Sequence, residues 1–122
     1  MKRTMMHGKI HRAVVTGADV DYVGSITIDS DLMNAAGILE FEQVHVLDVD
    51  NGARFETYAM AGEPGSGEVV VNGAAAHLVT KGDRIIVISY AEVEDAEAAS
   101  WRPKIVALNG SNVLSTASHG RD

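Results

Sequence analysis

The pair Gly24-Ser25, within DYVGSITID, places a hydroxyl nucleophile directly after a carbonyl that no side chain shields. Most such pairs are turns. The chemical reading needs Ser25 Oγ close to the Gly24 carbonyl, on a backbone whose freedom glycine supplies. Attack then converts the amide to an ester. β-Elimination cuts the chain and leaves dehydroalanine, and hydrolysis gives a pyruvoyl group on the new N-terminus. That ketone forms a Schiff base with an amine and acts as an electron sink. Residue types alone leave both readings open.

Three other groups invite the same question. In ARFETYA, strand alternation puts Arg54, Glu56 and Tyr58 on one face and Phe55 and Thr57 on the other. Arg54 has the planar fork for a carboxylate, and Tyr58 can donate a proton. A surface Arg–Glu pair beside a half-buried tyrosine explains the same residues. His7 and His11 have a spacing that binds zinc on a helix. On a strand they stand roughly 13 Å apart, too far for one metal. GEPGSG lacks the following Lys-Ser/Thr and helix of a phosphate loop, and reads as a turn.

These residues must be held by strands. KIHRAVVT predicts a strand over residues 9–16, and SITID, QVHVLDV, EVVVN, RIIVISY and KIVAL predict others. Asn51-Gly52 is a hairpin signal. A short helix follows SITID, capped by Ser30 or Asp31 and stopped by Gly37. GAAAH reads as one helical turn, and AEVEDAEAAS as a helix or a surface loop. Six or seven short strands with short connectors predict a mainly β protein: a small closed barrel with one or two short helices.

The 122 residues make one domain, 46% hydrophobic and 22% charged, which is globular composition. The net charge of −7 argues against a nucleic-acid or anionic-membrane partner. Lys2, Arg3, Lys9 and Arg12 nevertheless crowd the first twelve residues. No apolar run is long enough to span a bilayer, and the N-terminus is a poor signal peptide. With no cysteine, a cytoplasmic location is the expectation.

Taken in order, KIHRAVVT, DYVGSITID, AAGILEFEQVHV, NGARFETYA, VVVNGAAAH, GDRIIVISY and WRPKIV resemble the bacterial aspartate 1-decarboxylases, which supply β-alanine for pantothenate synthesis. The resemblance covers residues 1 to about 108 as one barrel domain. The tail, 109–122, adds nothing to the resemblance and is expected to be polar and mobile.

The resemblance implies a double-psi β-barrel, a homotetramer with sites between subunits, and self-cleavage of a zymogen at Gly24-Ser25. The cofactor would be a covalent pyruvoyl group derived from Ser25, with neither metal nor pyridoxal phosphate. By matching positions, Thr57 assists processing at the Gly24 carbonyl. Lys9 and Arg54 hold the two carboxylates of L-aspartate, with their order left open. Tyr58 is the proton donor, and Asn72 with the backbone of Gly73, Ala74 and Ala75 walls the pocket. Tyr22 and His11 also match, without an assigned role. Arg54 and Tyr58 share a face that Thr57 does not, so one strand would serve two sites or carry a bulge. Whether a helper protein assists cleavage stays open. So do three rival functions: a pyruvoyl decarboxylase of another small amino acid, a hydrolase with a free Ser25 N-terminus, and a non-catalytic small-barrel binding module.

Overall fold

Alternating branched apolar and polar residues build the fold strand by strand. The computed structural model describes residues 1–115. Its strands are β1 (Lys2–Val14), β2 (Gly17–Asp19), β3 (Ser25–Asp29), β4 (Gln43–Asp48), β5 (Arg54–Gly62), β6 (Val69–Asn72), β7 (Arg84–Glu94) and β8 (Lys104–Ala107). Two short α-helices, α1 (Ser30–Ala36) and α2 (Asp95–Ala98), and a 3₁₀ helix (Gly73–Leu78) complete it.

The strands form one mixed sheet in the order β2-β6-β3-β5-β4-β7-β1-β8. Its ends are tied by the chain itself. β1 lies beside β8, β2 lies beside β6, and only Val15 and Thr16 separate β1 from β2. The Thr16 N–H donates to the Val69 carbonyl and the Val15 N–H to Asp83. One continuous segment therefore borders both ends of the sheet and bends it into a small barrel. Ile10, Ile26, Ile28, Val44, Val46, Val69, Val71, Ile85, Val87 and Val106 fill the interior, each essentially unexposed. The mainly β, barrel-like fold with short helices expected from the sequence is the one observed.

Local chemistry fixes the connections. At the β4–β5 hairpin, Gly52 takes a left-handed φ of 78° and Asn51 Oδ1 accepts from the Ala53 N–H. Gly37, at φ 69°, ends α1. The cap at the other end is Asp29, whose Oδ1 accepts from the Asp31 N–H, and not Ser30 or Asp31. The same carboxylate accepts from the Gly65 and Gly67 N–H groups. Those are the amides a phosphate would need, so the GEPGSG turn has an internal anion.

Several bounds differ from the sequence expectation. The described residues hold eight strands, not six or seven, because the three-residue β2 is too short to alternate. β1 starts at Lys2, since Lys2 to Met6 pair with Glu94 to Tyr90. That pairing also draws AEVE of AEVEDAEAAS into β7, leaving only α2 as helix. Arg12, at φ 66°, marks a bulge where the β1–β7 register shifts. Gly8 is required where α1 crosses β1, because a Cβ there would overlap the Ala36 carbonyl. Of the segment read as a tail, residues 116–122 lie outside those described. Within 109–115, the Asn112 carboxamide bonds both backbone groups of Val14 and the Gly67 carbonyl. No helix among the described residues is long and apolar enough to cross a membrane.

Candidate active site

Ser25 is the first residue of β3 and is 3% exposed. Directly across the antiparallel β3–β6 pair stands Asn72. Asn72 Nδ2 donates to Ser25 Oγ at 3.3 Å and to Thr27 Oγ1 at 3.1 Å. Alternation explains the arrangement: Ile26 and Ile28 point inward with Val71 and Val69, so Ser25 and Thr27 face outward with Asn72 and Val70.

On its other side β3 runs parallel to β5, with Ile26 beside Ala59. Stepping back along both strands sets Ser25 level with Tyr58 and Gly24 level with Thr57. Thr57 opposes the buried Val44 and Tyr58 opposes Gln43, so Thr57 turns inward and Tyr58 outward. The two faces of β5 thus flank the two halves of the Gly24–Ser25 unit without a bulge. Gly24 is exposed, its φ is outside the left-handed region, and a Cβ on it would meet nothing within 4 Å. Gly73, just after Asn72, does take a left-handed φ, of 77°. Ala74 is exposed, and Ala75 is half-buried against the core.

A cleft of about 370 Å³ opens over Ser25, lined by Tyr22, Thr27, Met60, Asn72 and two carboxylates, Asp19 and Glu68. It holds no cation of its own chain. A larger cleft of about 530 Å³, by Gln43, His45 and Tyr90, contains none of the expected site residues.

Lys9 and Arg54 lie elsewhere on the outer face. Lys9 is level with Ile88 and, through it, with His45 and Glu56. Three strand spacings separate Lys9 from β5, roughly 14 Å along the sheet, and a fourth separates it from β3. Arg54 is four residues from Tyr58, roughly 13 Å along β5. Neither forms an ion pair among the described residues, whereas Arg3, His45 and Arg84 do. One chain therefore brings together Ser25, Gly24, Thr57, Tyr58, Asn72 and Gly73, and leaves Lys9 and Arg54 at a distance.

The aspartate decarboxylase family model matches residues 1–115. The chain belongs to the aspartate decarboxylase family. It is 55% identical over 112 residues to the aspartate 1-decarboxylase of Corynebacterium efficiens, covering 92% of this chain and 82% of that protein. Within this aspartate decarboxylase chain, the matching residues left without a role also have definite places. Tyr22 is 62% exposed at the cleft rim. His11 is half-buried with Nδ1 unpartnered; burial first, then the charges of Lys9 and Arg12, hold its pKa below the usual histidine value. His7 Nε2 meets the Gly37 carbonyl and its ring packs on Trp101, so the two histidines share no ligand.

Sequence reasoning missed Asp19, Thr27, Met60 and Glu68 as cleft walls. Alternation from Ser25 points to Thr27. Asp19 rides on β2, which has no pattern to read.

Proposed function

We propose that the protein cuts itself between Gly24 and Ser25 and then converts L-aspartate to β-alanine and CO2, the β-alanine serving pantothenate synthesis. The observation that carries this reading is the setting of Ser25: a buried hydroxyl held by Asn72, directly behind an exposed glycine. That setting suits a pyruvoyl group made in place. From Ser25 onward the chain is paired on both sides, to β5 and β6, so a new N-terminus there stays fixed. Before it, residues 20–24 are tied by two turn bonds to Asp19, from the Tyr22 N–H to its carbonyl at 3.4 Å and from the Asp21 N–H to its Oδ1 at 3.0 Å, and by no strand pairing, so they can move aside. The pyruvoyl group supplies a ketone for the substrate amine and a sink for the electrons released with CO2.

The chain's own residues do the rest. Asn72 fixes the Ser25 rotamer, and Thr57, level with Gly24, offers a hydroxyl to the charge that develops on the Gly24 carbonyl oxygen. Tyr58, outward and level with Ser25, holds the proton that the α-carbon receives once CO2 has left. Asn72 and the backbone of Gly73, Ala74 and Ala75 wall the pocket. Arg54 and Lys9 take the two substrate carboxylates.

Those two cations come from a neighbouring copy. Asp19 and Glu68 repel a dianion from a protomer's own cleft, and the unpaired Lys9 and Arg54 face outward too far away to reach it. Docking two outer faces supplies each Ser25 with the cations it lacks. We assign this arrangement to a homotetramer. The test is to incubate purified, processed protein with L-aspartate and L-glutamate separately and follow CO2 and product. β-Alanine from aspartate with negligible turnover of glutamate is expected. Preference for glutamate would assign the same machinery to a different amino acid.

A further inference from the structure

Asn72 and Gly73 are consecutive, and each touches a different half of the Gly24–Ser25 unit. Asn72 holds the serine oxygen. Gly73 presses on the glycine: a Cβ built on it would stand 2.6 Å from Gly24 Cα, 3.0 Å from Gly24 N and 3.4 Å from the Tyr22 carbonyl oxygen. All three are backbone atoms, so no flexible side chain can yield. The space where Gly24's own Cβ would stand is open, with nothing within 4 Å. The backbone of Gly73 is thus a brace against Gly24.

The brace is firm. It follows β6, which is paired to β2 on one edge and β3 on the other. Its left-handed φ of 77° turns the chain abruptly out of β6 into the 3₁₀ helix and across Gly24.

We infer that Gly73 is a positioning residue for self-cleavage: its bare backbone seats Gly24 so that the Gly24 carbonyl carbon lies in the path of Ser25 Oγ. This rests on the self-cleavage proposed above. In the step it governs, the Oγ–C bond forms, the C–N bond breaks, and the hydroxyl proton passes to the freed amine nitrogen. Attack geometry is unforgiving, and a displacement of about 1 Å costs on the order of 10²-fold in rate. A methyl at residue 73 must push Gly24 by several tenths of an ångström or more.

The test follows first-order cleavage of freshly purified precursor by intact mass, with folding followed by circular dichroism and thermal melting. Three variants separate contact from strain. Gly73→Ala adds both a Cβ and a backbone penalty. Gly73→Asn adds the Cβ in a residue that tolerates left-handed φ, so a folded sample remains if the alanine variant unfolds. Gly82→Ala is the control, because Gly82 has φ 97° and nothing within 4 Å. Folded Gly73 variants that cleave 10- to 100-fold more slowly, beside a Gly82→Ala protein that melts lower yet cleaves at the wild-type rate, are expected. A folded Gly73→Ala or Gly73→Asn protein cleaving at the wild-type rate overturns the inference alone. So does Gly82→Ala slowing cleavage as much, which would make the effect one of general stability. A wild-type chain that never cleaves overturns the self-cleavage reading, and this inference with it.

Discussion

Asn72 Nδ2 lies 3.3 Å from Ser25 Oγ, directly across an antiparallel strand pair. The donor amide is itself 4% exposed and shared with Thr27 Oγ1 at 3.1 Å, so it can swing little. Removing it in Asn72→Ala frees the serine rotamer. Self-cleavage should slow on the order of tenfold or more, while the melting profile shifts by only about 1 kcal/mol, one buried hydrogen bond's worth. Time-resolved mass spectrometry alongside denaturant melts checks both halves.

Arg54 is exposed and outside the Ser25 cluster of its own chain. Its loss in Arg54→Ala should leave cleavage intact and cut kcat/KM for aspartate on the order of 10²-fold, as expected for a lost charge-assisted fork. Loss of cleavage in that variant would move Arg54 from substrate binding to processing.

If the cations come from a neighbouring copy, two dead chains should rescue each other. Ser25→Ala cannot form the pyruvoyl group but keeps Lys9 and Arg54; Arg54→Ala has the reverse defect. Co-assembled by co-expression, they should recover a substantial share of wild-type turnover, whereas mixing finished homo-oligomers should not. Absence of rescue in verified mixed oligomers would place the whole site within one chain.

Asp48 gives a pH signature away from the site. It is 2% exposed; burial first, then its contact with Asp83, push its pKa up to about 6, against partial relief from the Asp50 and Asn51 N–H groups. The native state thus binds the proton more tightly than the unfolded chain. The stabilisation is complete below the ordinary value of 3.8 and is lost as pH rises through about 6. Asp48→Asn keeps an acceptor for those N–H groups and adds a donor for Asp83. At pH 8 it should exceed the wild type in stability by roughly 1–3 kcal/mol, and the margin should shrink at pH 5. A pH-independent margin would contradict the raised pKa of Asp48.

Much of this was legible in the chain. Gly24-Ser25, Asn51-Gly52 and the Leu32–Ala36 turn ended by Gly37 all act through neighbours a few residues away, and such signals survive without a structure. The inward turn of Thr57 against the outward turn of Tyr58 also followed from alternation. Its meaning did not, because it depends on the parallel β3–β5 register, which sets Gly24 level with the one and Ser25 with the other. Asp29 as cap and loop anchor was missed for a similar reason: two of its carboxylate's three partners, Gly65 and Gly67, are more than thirty residues away. The same holds for Gly73. As one glycine among twelve it looks like a turn residue, and only the contact with Gly24 gives it work.

The central claim is that Ser25 becomes the cofactor, and the most direct measurement is an intact mass spectrum of incubated protein under denaturing conditions, paired with a native one. The account predicts two chains split at Gly24–Ser25, with the larger lighter than its serine-ended form by one ammonia, since the water lost on elimination returns on hydrolysis and ammonia leaves. It also predicts that they stay together natively, since β1 and β2 tie residues 1–24 to β6, β7 and β8. A single full-length mass after prolonged warming and after addition of host extract would contradict it, as would a larger chain that keeps an N-terminal serine.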